Sequence, residues 1–244
     1  MSQAVNILLT KEEVMTCLAQ ALNQNFIDNL RNRHPNVALD SKLRGYVGEL
    51  AFKKWMKQHE IEFSNSNIHD ESSGMDIDFV FETSKRRIEL ELKTSMLPDA
   101  DATIQCAMQR RDIKLIKRGN QGIEDLKSDV HVQIIFKQLR VRKDEWLKKR
   151  PTRLLPRRKS RSMTHISLDD DFLEKIYQDF AAFRYESDTY LVGWIDKPTL
   201  IQQIKNKAEH MQKWKYGMRE FWTCNMLREA NKPIELVDYL KAIQ

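Results

Sequence analysis

Apolar residues recur at helical spacing over roughly the first sixty positions and then switch to strict alternation, and that switch sets the predicted architecture. Thr10-Lys-Glu-Glu13 has the spacing of a capping box. Val14, Leu18, Leu22 and Ile27 continue it as an amphipathic helix over 10–33, ended by His34-Pro35. A second helix over 41–59 places Leu43, Val47, Leu50 and Ala51 on one face. Gly45 and Gly48 permit a close approach there, and Glu49 falls at the edge of the apolar stripe. Alternating segments follow at 61–63, 75–81 and 88–95, and the natural turn at 83–87 predicts a hairpin between the last two. Further on, the pattern predicts a helix over 101–116, a buried strand over 130–137, a helix over 169–183 and a strand over 190–195. A helix opening at Pro198, an edge strand over 221–226 and a last helix from Pro233 complete the chain. This order predicts an α/β protein with a mixed sheet flanked by helices.

At 41% hydrophobic and 31% charged residues, the 244-residue chain has the composition of a folded domain. No apolar run approaches the ~20 residues of a membrane span. Met1 to Thr10 lacks the basic start and apolar stretch of a secretory signal. Cys17, Cys106 and Cys224 lie far apart and form no metal-ligand spacing with the histidines, which suits a reducing, cytoplasmic setting. With 7 glycines and no phosphate-binding loop or dinucleotide fingerprint, nucleotide-cofactor chemistry has no support. The net charge of +6 is concentrated. Between Lys137 and Ser162 twelve basic residues face two acids, which leaves the remainder of the chain net acidic. Such a strip reads as the footprint of a polyphosphate partner, because each cation that neutralises a phosphate releases condensed counterions; the alternative is a solvated or disordered basic loop, or one that meets a membrane surface. Pro151 and Pro156 predict an extended loop there, not a helix.

The chemistry concentrates in the predicted hairpin. In Ile88-Glu-Leu-Glu-Leu-Lys-Thr94 the period of two puts Glu89, Glu91 and Lys93 on one face and Ile88, Leu90 and Leu92 on the other. Asp76 and Asp78 share a face of the preceding segment, so antiparallel pairing brings an aspartate beside Glu91 and Lys93. Adjacent carboxylates raise each other's pKa unless a cation intervenes, and Mg²⁺ suits oxygen ligands and a substrate phosphate. A lysine in that setting can orient or deprotonate an attacking water and stabilise a pentavalent phosphorus. Hydrolysis of a phosphodiester is the reaction such a set serves. Elsewhere, Asp169-Asp-Asp171 is read as a helix cap, and Trp194, Trp214 and Trp222 as core or sheet-face aromatics. Arg110 and Arg111 are read either as phosphate contacts or as a wet helix face.

An aspartate, a gap of a dozen or more residues, Glu-x-Lys on a strand and an upstream helical glutamate together resemble the PD-(D/E)-x-K phosphodiesterase superfamily of restriction-endonuclease-like folds. Gly45-Tyr-Val-Gly-Glu-Leu-Ala51 resembles the family's first core helix, and Glu91-Leu-Lys93 its signature. Met75 stands where the family has proline, so both Asp76 and Asp78 remain candidates for the strand aspartate. Asp76 is preferred for its small-x-Asp-apolar context, while Asp78 precedes the stronger apolar run. The resemblance covers 41–136 well and 190–195 loosely. It implies a restriction-endonuclease-like domain over 41–244, with a helical extension over 1–40 and a basic insertion at about 137–162. By it, Asp76 and Glu91 would ligate Mg²⁺, Glu49 would be a ligand or an outlying carboxylate, Lys93 the catalytic lysine, and Gln105 an auxiliary. DNA would be gripped by Arg140, Arg142, Lys148, Lys149, Arg150, Arg153, Arg157, Arg158, Lys159 and Arg161. The implied activity is that of a Mg²⁺-dependent DNA endonuclease, in the form of a site-specific restriction enzyme acting as a two-fold homodimer. The alternatives are a repair, recombination or mobile-element nuclease that reads DNA structure, and a catalytically inactive DNA-binding module on the same fold.

Overall fold

The computed structural model describes residues 4–25, 35–65, 77–82, 86–98, 100–137, 169–180, 188–217 and 219–243. Asp76 and the basic strip beyond Lys137 lie outside these residues. The capping box forms as read. At the start of α1 (Lys11–Asn25) the Thr10 amide donates to Glu13 Oε2 at 2.7 Å, and the Glu13 amide donates to Thr10 Oγ1 at 3.2 Å. Helix α2 (Pro35–Gln58) begins earlier than predicted, because the proline that disfavours continuing one helix suits the first turn of the next. Lys54 of α2 binds Glu13 of α1 at 2.9 Å, and both helices bury one shared face.

A mixed sheet is built from β1 (Val5–Ile7), β2 (Ser64–Asn65), β3 (Phe79–Glu82), β4 (Arg87–Met96), β6 (Val130–Phe136) and β7 (Thr189–Asp196), in the order β1-β7-β6-β4-β3-β2. The predicted hairpin is β3 against β4, with Phe79 opposite Leu90 and Phe81 opposite Ile88. Strand β6 is parallel to β4, which requires a crossover, and antiparallel to β7. It is buried along its whole length, as expected of a central strand covered on both faces.

One face of this sheet packs on α1, α2, α4 (Asp170–Phe180) and α6 (Pro233–Ile243), through residues such as Leu18, Phe52, Trp55, Leu90, Val132, Tyr177 and Leu240. The other packs on α3 (Ile104–Arg110), α5 (Lys197–Asn206) and a second, three-stranded sheet of β5 (Asp112–Lys117), β9 (Arg219–Asn225) and β8 (Lys213–Tyr216). The second sheet corrects two expectations. The helix predicted over 101–116 stops at Arg110 and continues as β5, because Ile113 and Leu115 alternate into the second core opposite β9. The Arg111 amide closes the helix on the Ala107 carbonyl at 2.8 Å, and its Nε donates to buried Asp101 at 2.7 Å. The strand at 221–226 is not an edge: β9 lies between β5 and β8. Asp169 caps α4, accepting the Phe172 amide at 2.7 Å. Among the described residues no helix is long and apolar enough to cross a membrane.

Helix α2 meets β4 at Gly48. A Cβ there would lie 2.4 Å from Thr94 Cγ2, so the absence of a side chain sets the contact distance; Gly45 has open space around it, and its expected packing role is not realised. Gly48→Ala should therefore cost about 1–3 kcal/mol by overpacking. Adding Thr94→Ser removes the obstructing methyl and should recover most of that loss, as read by urea denaturation of the two variants.

Candidate functional site

The polar face of β4 is where the predicted chemistry meets the fold. Glu91 and Lys93 leave the strand on one side and are paired through Lys93 Nζ and Glu91 Oε1. The parallel register sets His131 beside Glu91 and Gln133 beside Lys93. His131 Nδ1 lies 3.1 Å from Glu91 Oε2. An ionised carboxylate only accepts, so the imidazole donates from Nδ1. Burial pushes the Glu91 carboxyl up, but the hydrogen bond from His131 and the charge of Lys93 outweigh it and leave the pKa below the usual carboxylate value. His131 Nε2 is buried without a hydrogen-bond partner among the described residues. Gln133 donates to Ser95 Oγ at 3.1 Å and to the Ile134 carbonyl at 2.7 Å. His131 and Gln133 were missed from sequence. Their signal was two polar residues at alternate positions of an otherwise apolar strand, the same period as Glu91 and Lys93.

Asp78 marks the place where β3 leaves the ladder. Its amide still donates to the Leu90 carbonyl at 3.0 Å, but Leu92 N–H is taken by Asp78 Oδ2 at 2.6 Å, a side-chain oxygen. The carboxylate thus lies at the backbone of the residue between Glu91 and Lys93. Glu49 comes from α2, which covers the Leu92 and Thr94 side of β4, opposite to the side on which Glu91 and Lys93 project. It lines a pocket of about 230 Å³ between α1 and α2 with Cys17, Tyr46 and Lys53. Burial, and then the charge of Asp78, push its carboxyl up to about 7, only partly offset by Lys53. Tyr46 and Cys17 are each pushed up to about 12, by burial first and by Glu49 second.

The predicted set therefore falls into two groups joined by β4: Glu91 with Lys93 and His131, and Glu49 with Asp78. Among the described residues no group of three or more His, Cys, Asp and Glu side chains is arranged to hold a metal ion. Gln105 is exposed on α3. Arg110 and Arg111 are committed to Asp101, at 3.7 and 2.7 Å. Trp194 and Trp222 are core residues, whereas Trp214 is 40% exposed. Comparison of the chain with protein-family models, curated proteins and solved structures finds no match.

Proposed function

We propose that the protein is a Mg²⁺-dependent endonuclease acting on DNA, built on a restriction-endonuclease-like core of helix α2, the β3–β4 hairpin and the parallel strand β6. The observation that carries the reading is the Glu91–Leu92–Lys93 run on β4, with its ion pair on one side and the Asp78 carboxylate at the Leu92 amide. The donor chemistry fits the cation: Mg²⁺ is held by one or two carboxylates together with waters and substrate phosphate. Glu49 and Asp78 are two carboxylates whose mutual repulsion a cation would relieve. Glu91, kept ionised by its neighbours on the other side of β4, would hold Lys93 in place and not donate to the same ion.

When bound, the ion would supply charge at the scissile phosphate. Lys93, held by Glu91, orients the attacking water and offsets negative charge that develops on the phosphate. His131 fixes the Glu91 carboxylate, so that the lysine is presented in one position. The basic strip is proposed as the backbone grip, and site-specific cutting by a homodimer as the form the activity takes. Incubation with several plasmid and phage DNAs, with Mg²⁺ and with EDTA, tests the reading. Discrete fragments that require Mg²⁺ are expected, whereas cutting confined to branches or ends would mark a structure-reading nuclease.

A catalytically inactive DNA-binding module is the second reading. It is favoured by the way the Glu91 carboxylate is already taken up by the Lys93 ammonium and a hydrogen bond from His131. It predicts binding that falls steeply with salt and is indifferent to Mg²⁺.

A further inference from the structure

The second sheet has one face turned into the core and one turned out. Alternation sends Ile113, Leu115, Trp222 and Cys224 inward, where all four are buried. It sends Lys114, Ile116, Trp214, Tyr216, Arg219 and Phe221 outward, and the register brings Trp214 opposite Phe221 and Tyr216 opposite Arg219. Trp214 is 40% and Tyr216 72% exposed. Their rings are nearly parallel, 14° apart with centroids separated by 5.7 Å, and Phe221 adjoins Trp214 at 5.6 Å. Lys114 Nζ stands 3.5 Å from the Trp214 ring centroid.

The charge on this face has one dominant sign. Lys114 and Arg219 are exposed on it, Lys114 over the Trp214 ring and Arg219 opposite Tyr216 in the register. Glu220 points to the other face and is neutralised by Lys117, Lys213 and Lys215 at 3.0, 3.6 and 2.9 Å, contacts that hold its carboxyl down at about 2. Asp112, at the far end, accepts from Asn225 Nδ2 at 3.4 Å. Exposed stacked aromatics interleaved with cations suit bases and phosphates together. In a duplex the base faces are already covered by their neighbours. Only an unpaired strand can use both features of this surface.

The geometry points to a binding platform for single-stranded nucleic acid on the outer face of the β5-β9-β8 sheet, with a base stacking on Tyr216, whose ring Trp214 backs, and phosphates meeting Lys114 and Arg219. This platform is separate from the β4 site and does not depend on cleavage there.

The test is fluorescence anisotropy of the full chain in EDTA with labelled oligo(dT) of about 20 nucleotides, the matching oligo(rU) and a duplex. Tyr216→Ala and Trp214→Ala should each weaken binding of the unpaired strand about tenfold, leave the duplex unchanged, and leave Tyr216→Phe close to the parent. Trp214 packs on Phe221 and its loss could perturb the sheet, so the exposed Tyr216 is the deciding position, with circular dichroism confirming the fold. Unchanged affinity for both unpaired strands in Tyr216→Ala, or an equal loss on the duplex, overturns the platform. A parent that cuts no DNA but loses oligo binding on Tyr216→Ala keeps the platform and removes the nuclease reading.

Discussion

Lys93→Ala should lower Mg²⁺-dependent cleavage by about 10²–10⁴-fold, the range expected for losing a positioned proton-handling or charge-stabilising group. DNA affinity should stay close to that of the parent, because binding is assigned to other basic residues. The variant also removes the lysine cation that helps to hold Glu91 ionised. His131 remains at 3.1 Å, so the carboxylate keeps a partner and the strand a reason to stay folded. Lys93→Arg provides the contrast. It retains the charge, but its planar guanidinium cannot take the place of a compact ammonium. The measurement is single-turnover cleavage alongside filter binding in EDTA. Full activity in Lys93→Ala rejects the proposed mechanism.

Glu49 carries the largest expected dependence on pH. Its carboxyl is pushed from 4.5 up to about 7, by burial first and Asp78 second. Below about pH 4.5 both the folded and the unfolded chain hold the proton, and the group contributes no pH dependence. Between about 4.5 and 7 the unfolded chain releases the proton while the folded chain retains it, so stability falls as pH rises. Above about 7 the loss is complete, at about 2–3 kcal/mol for a carboxyl that keeps some water. In EDTA, Glu49→Gln should therefore be more stable than the parent at pH 8 and similar at pH 4.5, as read by thermal melts. Mg²⁺ should raise the melting temperature of the parent at pH 8 and do so less in Glu49→Gln, because a cation that favours ionised Glu49 binds the folded state. An equal rise in both proteins removes Glu49 from the proposed ligand set.

The parts of the fold that could be read directly are those governed by a few consecutive residues. Thr10 and Glu13 cap α1 reciprocally, and Asp169 caps α4. The 88–95 alternation is β4, with Leu90 and Leu92 in the core and Glu91 and Lys93 on the opposite side. The 101–116 segment was misread because its second half depends on a distant partner. Ile113 and Leu115 suit a helix or a strand equally, and only pairing with Cys224 and Trp222 selects the strand. The same long-range pairing brings out β8 and leaves Trp214 on an exposed face, where a core or sheet-face aromatic was all that the local pattern could suggest.

For the candidate site the division is similar. Local periodicity determined that Glu91 and Lys93 share a face, since a strand's geometry repeats every two residues whatever surrounds it. The tertiary structure alone decided that His131 would hold Glu91, that Asp78 would take the Leu92 amide, and that Glu49 would approach from the opposite side of the strand with its carboxyl pushed up by Asp78. Those contacts come from a parallel crossover, a ladder that parts at one residue, and a helix seated at a glycine. Each depends on how separate elements bury their apolar faces together, and no short stretch of chain carries that information.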